Sequence, residues 1–428
     1  MTYEEVLEWM FAQIPMYQRQ GRAAYKADLS TTQTLDAYLG HPHRHFRTIH
    51  VGGTNGKGSV SNMLASVLQE AGYKTGLYTS PHLKDFRERI RVNGQLVEKD
   101  FVKDFVQQHA SFFQQQRPSF FEMTVAMAFE YFRHREVDVA VVEVGLGGRL
   151  DSTNIIDPDL SVITNISLDH TQFLGDTVEE IAREKAGIIK AGKPVVIGEY
   201  DSRNAELFRE KARSLAAPIY FADQDYRVEN QQQDRGRACY RVSGRYQPVY
   251  EKLCTDLLGG YQAKNLLTCL ASIDRLRETG YAIAPENIFD GLARVSLNTG
   301  FAGRWFVLQE KPTIVCDTAH NEAGLSLNIR TVKEMGGANL HFVLGFVNDK
   351  RLDSILQLFP SHGRYYFTRA NIPRALDEGE LAKMAASFGL QGQSFASPQQ
   401  ALEAARSNAA GEDIIYVGGS TFLVSELI

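Results

Sequence analysis

The chain of 428 residues is poor in cysteine, in proline and in charge of one sign. Its four cysteines include no CxxC pair, which disfavours a structural zinc site and a disulfide framework and favours a reducing compartment. Lysine and arginine number 46 against 51 acidic residues, and the resulting net charge of −5 disfavours a dedicated nucleic-acid binder. No apolar run approaches about 18 residues, so no membrane-spanning helix is predicted. The N-terminus lacks a basic region followed by an apolar run, and we therefore expect no secretory signal and a cytoplasmic location.

The rest of the composition is that of an ordinary globular protein. Hydrophobic residues make up 43% of the chain and charged residues 23%, which excludes an intrinsically disordered chain. At about 150 residues per domain, the length predicts two or three domains. Glycine is plentiful, with 35 residues against 13 prolines, and the placement of these glycines is more informative than their number.

Apolar runs and helical patterns alternate through the first two thirds of the chain, which predicts a parallel sheet covered by helices on both faces. Residues 1–45 are predicted as helix and loop, with a helix from Tyr3 to Ile14. Residues 220–256 predict a small antiparallel β-segment outside the parallel sheet, because β-favouring residues such as Tyr246 and Val249 recur there. The strands of the sheet are predicted at 46–51, 74–79, 137–144, 160–166 and 194–198, and the helices at 60–71, 124–132, 178–189 and 263–276.

The pattern breaks at residues 296–303, where we predict a domain boundary. Strand and helix then alternate again over about 130 residues, which is long enough for a separate core. The predicted fold class is α/β, with a P-loop parallel-sheet ATPase domain at 1–297 followed by a smaller Rossmann-like α/β domain at 298–428. The strands of the second domain are predicted at 313–316, 341–344, 365–368 and 414–417, and its helices at 324–334, 352–359, 378–388 and 398–409.

A glycine-rich loop, 52–58, joins the first predicted strand of the sheet to the helix that follows. The backbone N–H groups of such a loop and the helix N-terminus form a cradle for phosphate. Lys57 would reach the β- and γ-phosphates, and the Ser59 hydroxyl can meet Mg²⁺. The loop departs from GxxxxGK[ST] because position 51 is Val and Gly58 separates Lys57 from Ser59. The alternative is a glycine turn with an incidental lysine.

Polar residues also follow other predicted strands of the first domain. Glu143 interrupts the apolar strand 137–144 near its end, and a second glycine cluster, 145–148, comes directly after that strand. Ligands of open α/β sheets gather at the carboxyl ends of strands, so Glu143 is a candidate Mg²⁺ ligand; the alternative is a salt-bridged strand-end glutamate. His170 follows strand 160–166, although a lone histidine is more often structural. The spacing around Lys185 predicts only an exposed helix lysine.

A third polar cluster follows the first predicted strand of the second domain. Asp317, His320 and Asn321 place an acid, an imidazole and an amide at one strand end. The arrangement predicts a site that the second domain presents. The alternative is an N-cap cluster for the next helix, with Asn321 or Asp317 as the cap.

Taken in order along the chain, these motifs resemble those of folylpolyglutamate synthase and dihydrofolate synthase of the Mur ligase superfamily. The resemblance runs from about residue 52 to residue 424. The motifs that carry it are Gly53-Thr54-Asn55-Gly56-Lys57-Gly58-Ser59, Thr79-Ser80-Pro81-His82-Leu83, Glu143 to Asp151, Asp169-His170, Glu184-Lys185-Ala186-Gly187 and Asp317-Thr318-Ala319-His320-Asn321.

The resemblance implies a role for each matching residue. Lys57, Lys185, His320 and Asp317 would be catalytic, with Lys185 as the lysine that the family carries as a carbamate. The family's Mg²⁺ ligands match Ser80, Glu143 and His170, and its glutamate-side positions match His320 and Ser420. The ATP contacts match Asn55, Gly56, Lys57, Gly58, Ser59, Asn265, Arg304 and Asp317. The folate or pteroate pocket would use Ser119, Phe121, Glu122, Leu150, Asp151 and Ser152.

Three details depart from the family pattern. Arg304 is preceded by Ala302-Gly303 where Pro-Gly is usual, and Asn321 is followed by Glu322 where Pro is usual. The segment 419–424 is also slightly altered, which weakens the assignment of Ser420.

The resemblance implies an ATP-dependent amide ligase that adds L-glutamate to dihydropteroate, to the γ-carboxylate of folates, or to both, through an acyl phosphate. We expect ATP and Mg²⁺ as cofactors, small-molecule substrates, no nucleic-acid or membrane partner, and a monomer. One alternative is a folylpolyglutamate synthase only, and another is a different Mur-type amino-acid ligase. A muramyl-peptide ligase would need a UDP-binding N-terminal domain, and only about 45 residues precede the glycine loop. A nucleotide-dependent regulator would leave Asp317 and His320 unexplained.

Overall fold

The chain forms two compact units. The structure, a computed structural model, describes residues 1–12, 28–234, 236–245, 250–348 and 352–428; Ile14, Tyr246 and Val249 lie outside these residues. The N-terminal unit comprises Met1–Asp256 and Gln262–Phe301, and the C-terminal unit comprises Leu257–Tyr261 and Ala302–Ile428. The assignment of 1–297 and 298–428 as ATP-binding and glutamate-ligase domains stays a prediction.

A mixed sheet forms the centre of the N-terminal unit. In its described part, eight strands run in the order β4-β3-β2-β5-β1-β6-β7-β8, and the six from β2 to β8 are mutually parallel. A separate antiparallel sheet has the order β11-β10-β9. The strands are β1 Arg47–Gly52, β2 Thr75–Tyr78, β3 Ile90–Val92, β4 Gln95–Leu96, β5 Val139–Glu143, β6 Leu160–Ile163, β7 Val195–Ile197, β8 Ile219–Phe221, β9 Tyr226–Asp234, β10 Arg237–Gly244 and β11 Tyr250–Thr255.

Helices cover the large sheet. The aromatic side chains of Phe129 and Phe132 belong to a core cluster with Tyr78 and Val142 of the sheet. A second cluster contains Ile163 of β6 together with residues of the helices that follow β6 and β7. The helices are α1 Tyr3–Ala12, α2 Ser30–Tyr38, α3 Lys57–Glu70, α4 Lys99–Gln116, α5 Phe120–His134, α6 Thr171–Leu174, α7 Val178–Ala186, α8 Ala205–Ser214, α9 Ala222–Asp225, α10 Gln262–Glu278, α11 Pro285–Ala293 and α12 Val295–Thr299.

The central strands bring their carboxyl ends to one edge of the sheet. All five residues of β5 are buried, as expected for a parallel strand with both faces covered. The parallel register pairs Val51 of β1 with Glu143 of β5, and Gly52 of β1 with Ile163 of β6. The loops that leave β1, β5 and β6 therefore start side by side.

The small antiparallel sheet corrects the prediction drawn from the cysteines. The register of β10 and β11 places Cys239 directly opposite Cys254, and the two form a disulfide. The predicted absence of disulfides is therefore wrong. The two cysteines are far apart in sequence but face each other across paired strands, which a search for CxxC pairs does not detect. Cys269 and Cys316 are free and buried. The disulfide also removes the cysteine-based argument for a reducing compartment.

The C-terminal unit repeats the α/β arrangement on a smaller scale. In the part that the structure describes, its sheet has the order β12-β13-β17-β14-β15-β16, with β12 antiparallel and the other strands parallel. The elements are β12 Phe306–Glu310, β13 Thr313–Asp317, α13 Glu322–Glu334, β14 Leu340–Leu344, α14 Asp353–Leu356, β15 Arg364–Thr368, α15 Glu378–Ala386, β16 Gly392–Phe395, α16 Pro398–Asn408, β17 Ile414–Gly418 and α17 Thr421–Ser425.

The predicted α/β class and the two parallel sheets are confirmed, while several details differ. The sequence analysis missed α4, although its buried residues Val102, Phe105, Val106, His109 and Phe113 follow a helical period. It also missed the antiparallel edge strands β3, β4 and β12, which are short or half exposed. The helix predicted at 352–359 is only one turn, α14. None of the described helices combines the length and the apolar character needed to cross a bilayer.

Candidate active site

The glycine loop lies between β1 and α3, and two of its residues must be glycine. Gly53 has φ +137° and Gly56 has φ +87°, values that side-chain-bearing residues rarely adopt. A Cβ at Gly53 would overlap the Thr164 hydroxyl, and a Cβ at Gly56 would overlap the Asn265 side chain. The loop therefore lies against its neighbours at a distance that only glycine allows.

The chain after β6 holds this loop in place. The Thr164 hydroxyl donates to the Asn55 carbonyl oxygen at 2.5 Å. The Asn165 side-chain oxygen accepts from the Asn55 N–H at 2.9 Å, and its backbone oxygen accepts from the Thr54 N–H at 2.9 Å. These bonds fix the backbone on one side of the loop, next to the N-terminus of α3, where an anion is favoured.

Two lysines meet at one carbonyl oxygen of the loop. The Lys57 ammonium donates to the Gly53 oxygen at 3.1 Å, and the Lys185 ammonium donates to the same oxygen at 2.8 Å. Lys185 is only 4% exposed, so the exposed lysine predicted from its spacing is wrong. Burial, followed by the charge of Lys57, lowers the pKa of Lys185 to about 7. The cationic form of Lys185 is therefore less favoured than that of an exposed lysine.

The structure joins two of the three predicted metal ligands directly. The Ser80 N–H, just after β2, donates to the Glu143 carboxylate at 3.1 Å. A Cβ built on Gly58 would lie 3.8 Å from both Glu143 carboxylate oxygens, so the carboxylate lies beside the start of α3. His170 follows β6, whose carboxyl end shares the sheet edge with β1, β2 and β5. A hydroxyl, a carboxylate and an imidazole are ligands that suit a divalent cation, and binding of one cation by all three residues stays a prediction.

Asn265, in the first turn of α10, lies against the glycine loop. Its side-chain oxygen is the atom that a Cβ on Gly56 would overlap, and its side-chain nitrogen donates to Gln262 at 2.7 Å. Gln262 in turn donates to the Ser59 hydroxyl at 3.2 Å. The predicted ATP contacts Asn265 and Ser59 are therefore brought together around the loop.

The predicted folate side connects to the same sheet edge through the glycine cluster after β5. The Phe121 ring lies directly against Gly145, where a Cβ would overlap it. The Asp151 carboxylate accepts from the Leu146 N–H at 2.8 Å and from the Thr153 N–H at 3.0 Å. Burial raises the pKa of Asp151, while the hydrogen bonds from Thr153 and the backbone oppose that rise. Of the neighbouring predicted residues, Ser152 is buried and Leu150 is half-buried.

Ser119 and Glu122 have a structural role in addition to the predicted one. They form a capping box at the N-terminus of α5: the Ser119 hydroxyl accepts from the Glu122 N–H, and the Glu122 carboxylate accepts from the Ser119 N–H. The Thr32 hydroxyl also donates to Glu122 at 3.4 Å. A contact of either residue with a heterocycle stays a prediction.

In the C-terminal unit, Asp317 is the centre of a buried network at the end of β13. Its carboxylate accepts from the Tyr261 hydroxyl at 2.6 Å, from the Trp305 N–H at 2.8 Å and from the Ala319 N–H at 2.7 Å. Burial, followed by the Asp317 charge, raises the pKa of Tyr261. Arg304 lies close enough for its charge to oppose that rise. Asp317 therefore fixes the loop that carries His320.

His320 and Ser420 follow neighbouring parallel strands, since the register pairs Asp317 of β13 with Gly418 of β17. The His320 Nδ1 lies 3.1 Å from the Thr318 carbonyl oxygen. Ser420 caps α17 by accepting from the Leu423 N–H at 3.1 Å, and Asn321 caps α13. The alternative prediction of a cap at Asn321 is thus confirmed.

Both units match families of known proteins. The Mur ligase middle domain matches residues 51–273, and the Mur ligase glutamate ligase domain matches residues 303–421. A dihydrofolate synthase/folylpolyglutamate synthase of Bacillus subtilis is 31% identical over 442 residues, covering 100% of this chain and 98% of the relative. A Mycobacterium tuberculosis folylpolyglutamate synthase complexed with ADP superposes with a TM-score of 0.89 at 30% identity, covering 99% of this chain and 97% of that one.

The chain belongs to the folylpolyglutamate synthase/dihydrofolate synthase family of Mur ligases. The resemblance stated from the motifs is therefore confirmed. Another solved member, a bifunctional enzyme from Yersinia pestis complexed with AMPPNP and a Mn ion, superposes with a TM-score of 0.84 at 28% identity, covering 99% of this chain and 97% of that one.

The sequence analysis missed several residues that support this Mur ligase site. Thr164 and Asn165 follow β6 as an ordinary Thr-Asn pair, and nothing in their spacing predicts that they bind the glycine loop. Tyr261 lies 56 residues from Asp317 in the sequence, so local pattern could not pair them. The position of Thr164 and Asn165 directly after β6 was the available signal for these two residues.

The contact between Phe121 and Gly145 generates a prediction for the family's pteroate-side pocket. In Gly145→Ala, the new methyl group displaces the Phe121 ring, and the loss of an aromatic contact raises the Michaelis constant for a pteroate substrate by up to about tenfold. The Michaelis constant for ATP stays the same. Steady-state kinetics with each substrate varied in turn measures both values.

Gly411→Ala is the matched control, because a Cβ at Gly411 meets no atom within 4 Å. Thermal unfolding of both variants reports any general loss of stability. An unchanged Michaelis constant for the pteroate substrate in Gly145→Ala would contradict the assignment of Phe121 to that pocket.

Proposed function

We propose that this chain is an ATP-dependent amide ligase that adds L-glutamate to dihydropteroate and to the γ-carboxylate of folates. It would thus act as both a dihydrofolate synthase and a folylpolyglutamate synthase. The observation that carries the proposal is the sheet edge where the glycine loop, Lys57 and the Ser80–Glu143 pair converge. The full-length alignment with the dihydrofolate synthase/folylpolyglutamate synthase of Bacillus subtilis also supports it. The name of the Yersinia pestis relative also supports the bifunctional form.

The first chemical step would transfer the γ-phosphoryl group of ATP to the substrate carboxylate. A carboxylate oxygen attacks phosphorus, the bond to the β-phosphate oxygen breaks, and ADP leaves. The N–H groups at the start of α3 and the Lys57 ammonium would stabilise charge on the phosphoryl oxygens. Ser80, Glu143 and His170 would hold a divalent cation, Mg²⁺ or Mn²⁺, which supplies further positive charge to the phosphate oxygens when bound.

The second step would form the amide bond. The unprotonated amine of L-glutamate attacks the acyl carbon, and the resulting tetrahedral intermediate releases phosphate. A base must take the proton that the amine carries, and His320 is our candidate because it follows β13, next to the strand that leads to Ser420. Asp317 would act by fixing the loop of His320, and Ser420 is the neighbouring candidate for glutamate binding.

Lys185 is the proposed site of a carbamate. A neutral lysine amine attacks CO₂, forms an N–C bond and releases one proton, so the neutral side chain becomes an anion. The lowered pKa of Lys185, about 7, provides the neutral amine. Its position next to Lys57, at the same carbonyl oxygen, supports the change because the carbamate would pair with the Lys57 ammonium.

A cytoplasmic location and a monomeric state complete the proposal. The substrates proposed here, ATP and folates, are cytoplasmic metabolites, which supports the location. Size-exclusion chromatography coupled to light scattering measures the oligomeric state, and a mass of about one chain, 47.9 kDa, supports the monomer.

Product analysis with two acceptors tests the function. With ATP, Mg²⁺ and L-glutamate, both dihydropteroate and tetrahydrofolate should gain one glutamyl residue, and phosphate release should require acceptor and glutamate together. Lys57→Ala should lower both activities at least about 100-fold, because it removes the cation aimed at the phosphates. Mass spectrometry of the products and a phosphate assay provide the measurements.

Lys311→Ala is the control, since Lys311 is an exposed lysine of the C-terminal unit and should leave both activities intact. Consumption of tetrahydrofolate alone would reduce the proposal to a folylpolyglutamate synthase. Failure of both acceptors would overturn it, as would normal turnover in Lys57→Ala.

The carbamate generates a separate prediction about pH. Because the folded-state pKa of Lys185 lies near 7, the neutral amine and with it the carbamate should increase as pH rises through about 7, and not near 10.5. In ¹³C NMR with labelled bicarbonate, the wild type at pH 8 should show a carbamate signal that Lys185→Ala lacks. Lys193→Ala, which changes a lysine paired with Asp159, should keep the signal. A signal that survives in Lys185→Ala would contradict the assignment.

A further inference from the structure

Gln262 is a fully buried polar residue that no motif of the sequence singled out. It is the first residue of α10 and has no exposed surface. Its side-chain nitrogen donates to the Ser59 hydroxyl oxygen at 3.2 Å, and its side-chain oxygen accepts from the Asn265 side chain at 2.7 Å. Both partners belong to the predicted ATP contacts, and Gln262 joins them.

The direction of these two bonds fixes the Gln262 amide. The Asn265 nitrogen can only donate, so the Gln262 atom facing it must be the oxygen. The atom facing Ser59 is then the NH₂ group, which can only donate. The Ser59 oxygen consequently accepts, and one of its two lone pairs is occupied.

This bond leaves Ser59 with one lone pair and its hydroxyl proton. A serine within a helix commonly donates its proton to the carbonyl oxygen four residues earlier, which turns the hydroxyl away from a ligand. For Ser59 that oxygen belongs to Asn55, where the Thr164 hydroxyl occupies one of the two lone pairs at 2.5 Å and competes with the Ser59 proton. Gln262 therefore fixes one acceptor direction of the Ser59 hydroxyl, and Thr164 disfavours the bond that would turn its proton back into the helix.

We propose that Gln262 is a positioning residue for the Ser59 hydroxyl in the binding of a nucleoside triphosphate with its divalent cation. The free lone pair of Ser59 can then meet the cation, and the free proton can meet a phosphate oxygen. Gln262 itself touches neither. The inference rests on the proposed function, because it assumes that the glycine loop binds ATP.

The hydrogen bond from Asn265 holds the Gln262 side chain in the orientation that points its NH₂ group at Ser59. Asn265 packs against Gly56, where no Cβ fits, so it cannot move toward the loop. Gln262 is held between this residue and Ser59, which lies 203 residues earlier in the sequence. A side chain of similar volume without a donor would fill the space and leave the Ser59 hydroxyl unoriented.

The test combines Gln262→Met with Ser59→Ala in a double-mutant cycle. Methionine keeps an unbranched side chain of similar length but donates no hydrogen bond. Gln262→Met should weaken ADP binding in the presence of Mg²⁺ about tenfold, as is typical when a residue that orients a metal-site ligand is removed. It should change ADP binding without Mg²⁺ much less, and leave the Michaelis constant for the folate substrate unchanged.

Non-additivity is the decisive result. If Gln262 acts through Ser59, Gln262→Met should cause no further loss in the Ser59→Ala background. Ser272→Ala is the matched control, because Ser272 is buried in the same helix and its hydroxyl donates within that helix, to the Thr268 oxygen at 2.7 Å. It should keep the Mg²⁺-dependent affinity. Additive losses, or equal losses with and without Mg²⁺, would overturn the inference.

A second variant, Gln262→Glu, tests the same inference if Gln262→Met does not fold. Gln262→Glu keeps the size and the acceptor for Asn265 but presents an acceptor to Ser59 in place of the donor. It should weaken Mg²⁺–ADP binding as well, and normal binding in this variant would overturn the inference. If Ser59→Ala itself leaves Mg²⁺–ADP binding intact, the proposed ATP loop fails. If Ser59→Ala weakens binding and Gln262→Met does not, only the role of Gln262 fails.

Discussion

The close approach between the glycine loop and the side chains of Thr164 and Asn265 is the constraint on which the candidate site depends. No Cβ fits at Gly53 or Gly56, so the loop backbone lies directly against these neighbours. The result is a rigid turn whose carbonyl at Gly53 faces two lysines and whose far end starts α3. Every proposed contact with phosphate follows from this packing.

Local charge explains how a chain with a net charge of −5 could bind anionic substrates. Overall charge would repel ATP and a polyglutamate tail, and screening limits that effect to about 10 Å in 0.1 M salt. Lys57, the start of α3 and a cation held by Ser80 and Glu143 would act within a few ångströms. Burial lowers the pKa of Lys185, and the neighbouring charge of Lys57 lowers it further because two adjacent ammonium groups repel each other.

The sequence predicted those parts of the fold and site that depend on local pattern. Strand β5 and Glu143 could be found because an apolar run ends in a carboxylate, and the glycine loop because strand, glycines and helix follow directly. The disulfide between Cys239 and Cys254 and the burial of Lys185 depend on which elements pack together, which periodicity does not reveal. Gln262 and Ser59 form a bond across 203 residues, and only the folded chain shows it.

The central claim is that the substrate carboxylate attacks the γ-phosphate at this sheet edge before glutamate is joined. The most direct measurement uses a folate whose γ-carboxylate carries ¹⁸O at both oxygens, with mass analysis of the phosphate released during ligation. An acyl phosphate requires that one labelled oxygen leave with the phosphate when the amine replaces it. The account therefore predicts phosphate with one ¹⁸O atom for each amide bond formed. Unlabelled phosphate alongside normal amide formation would contradict it.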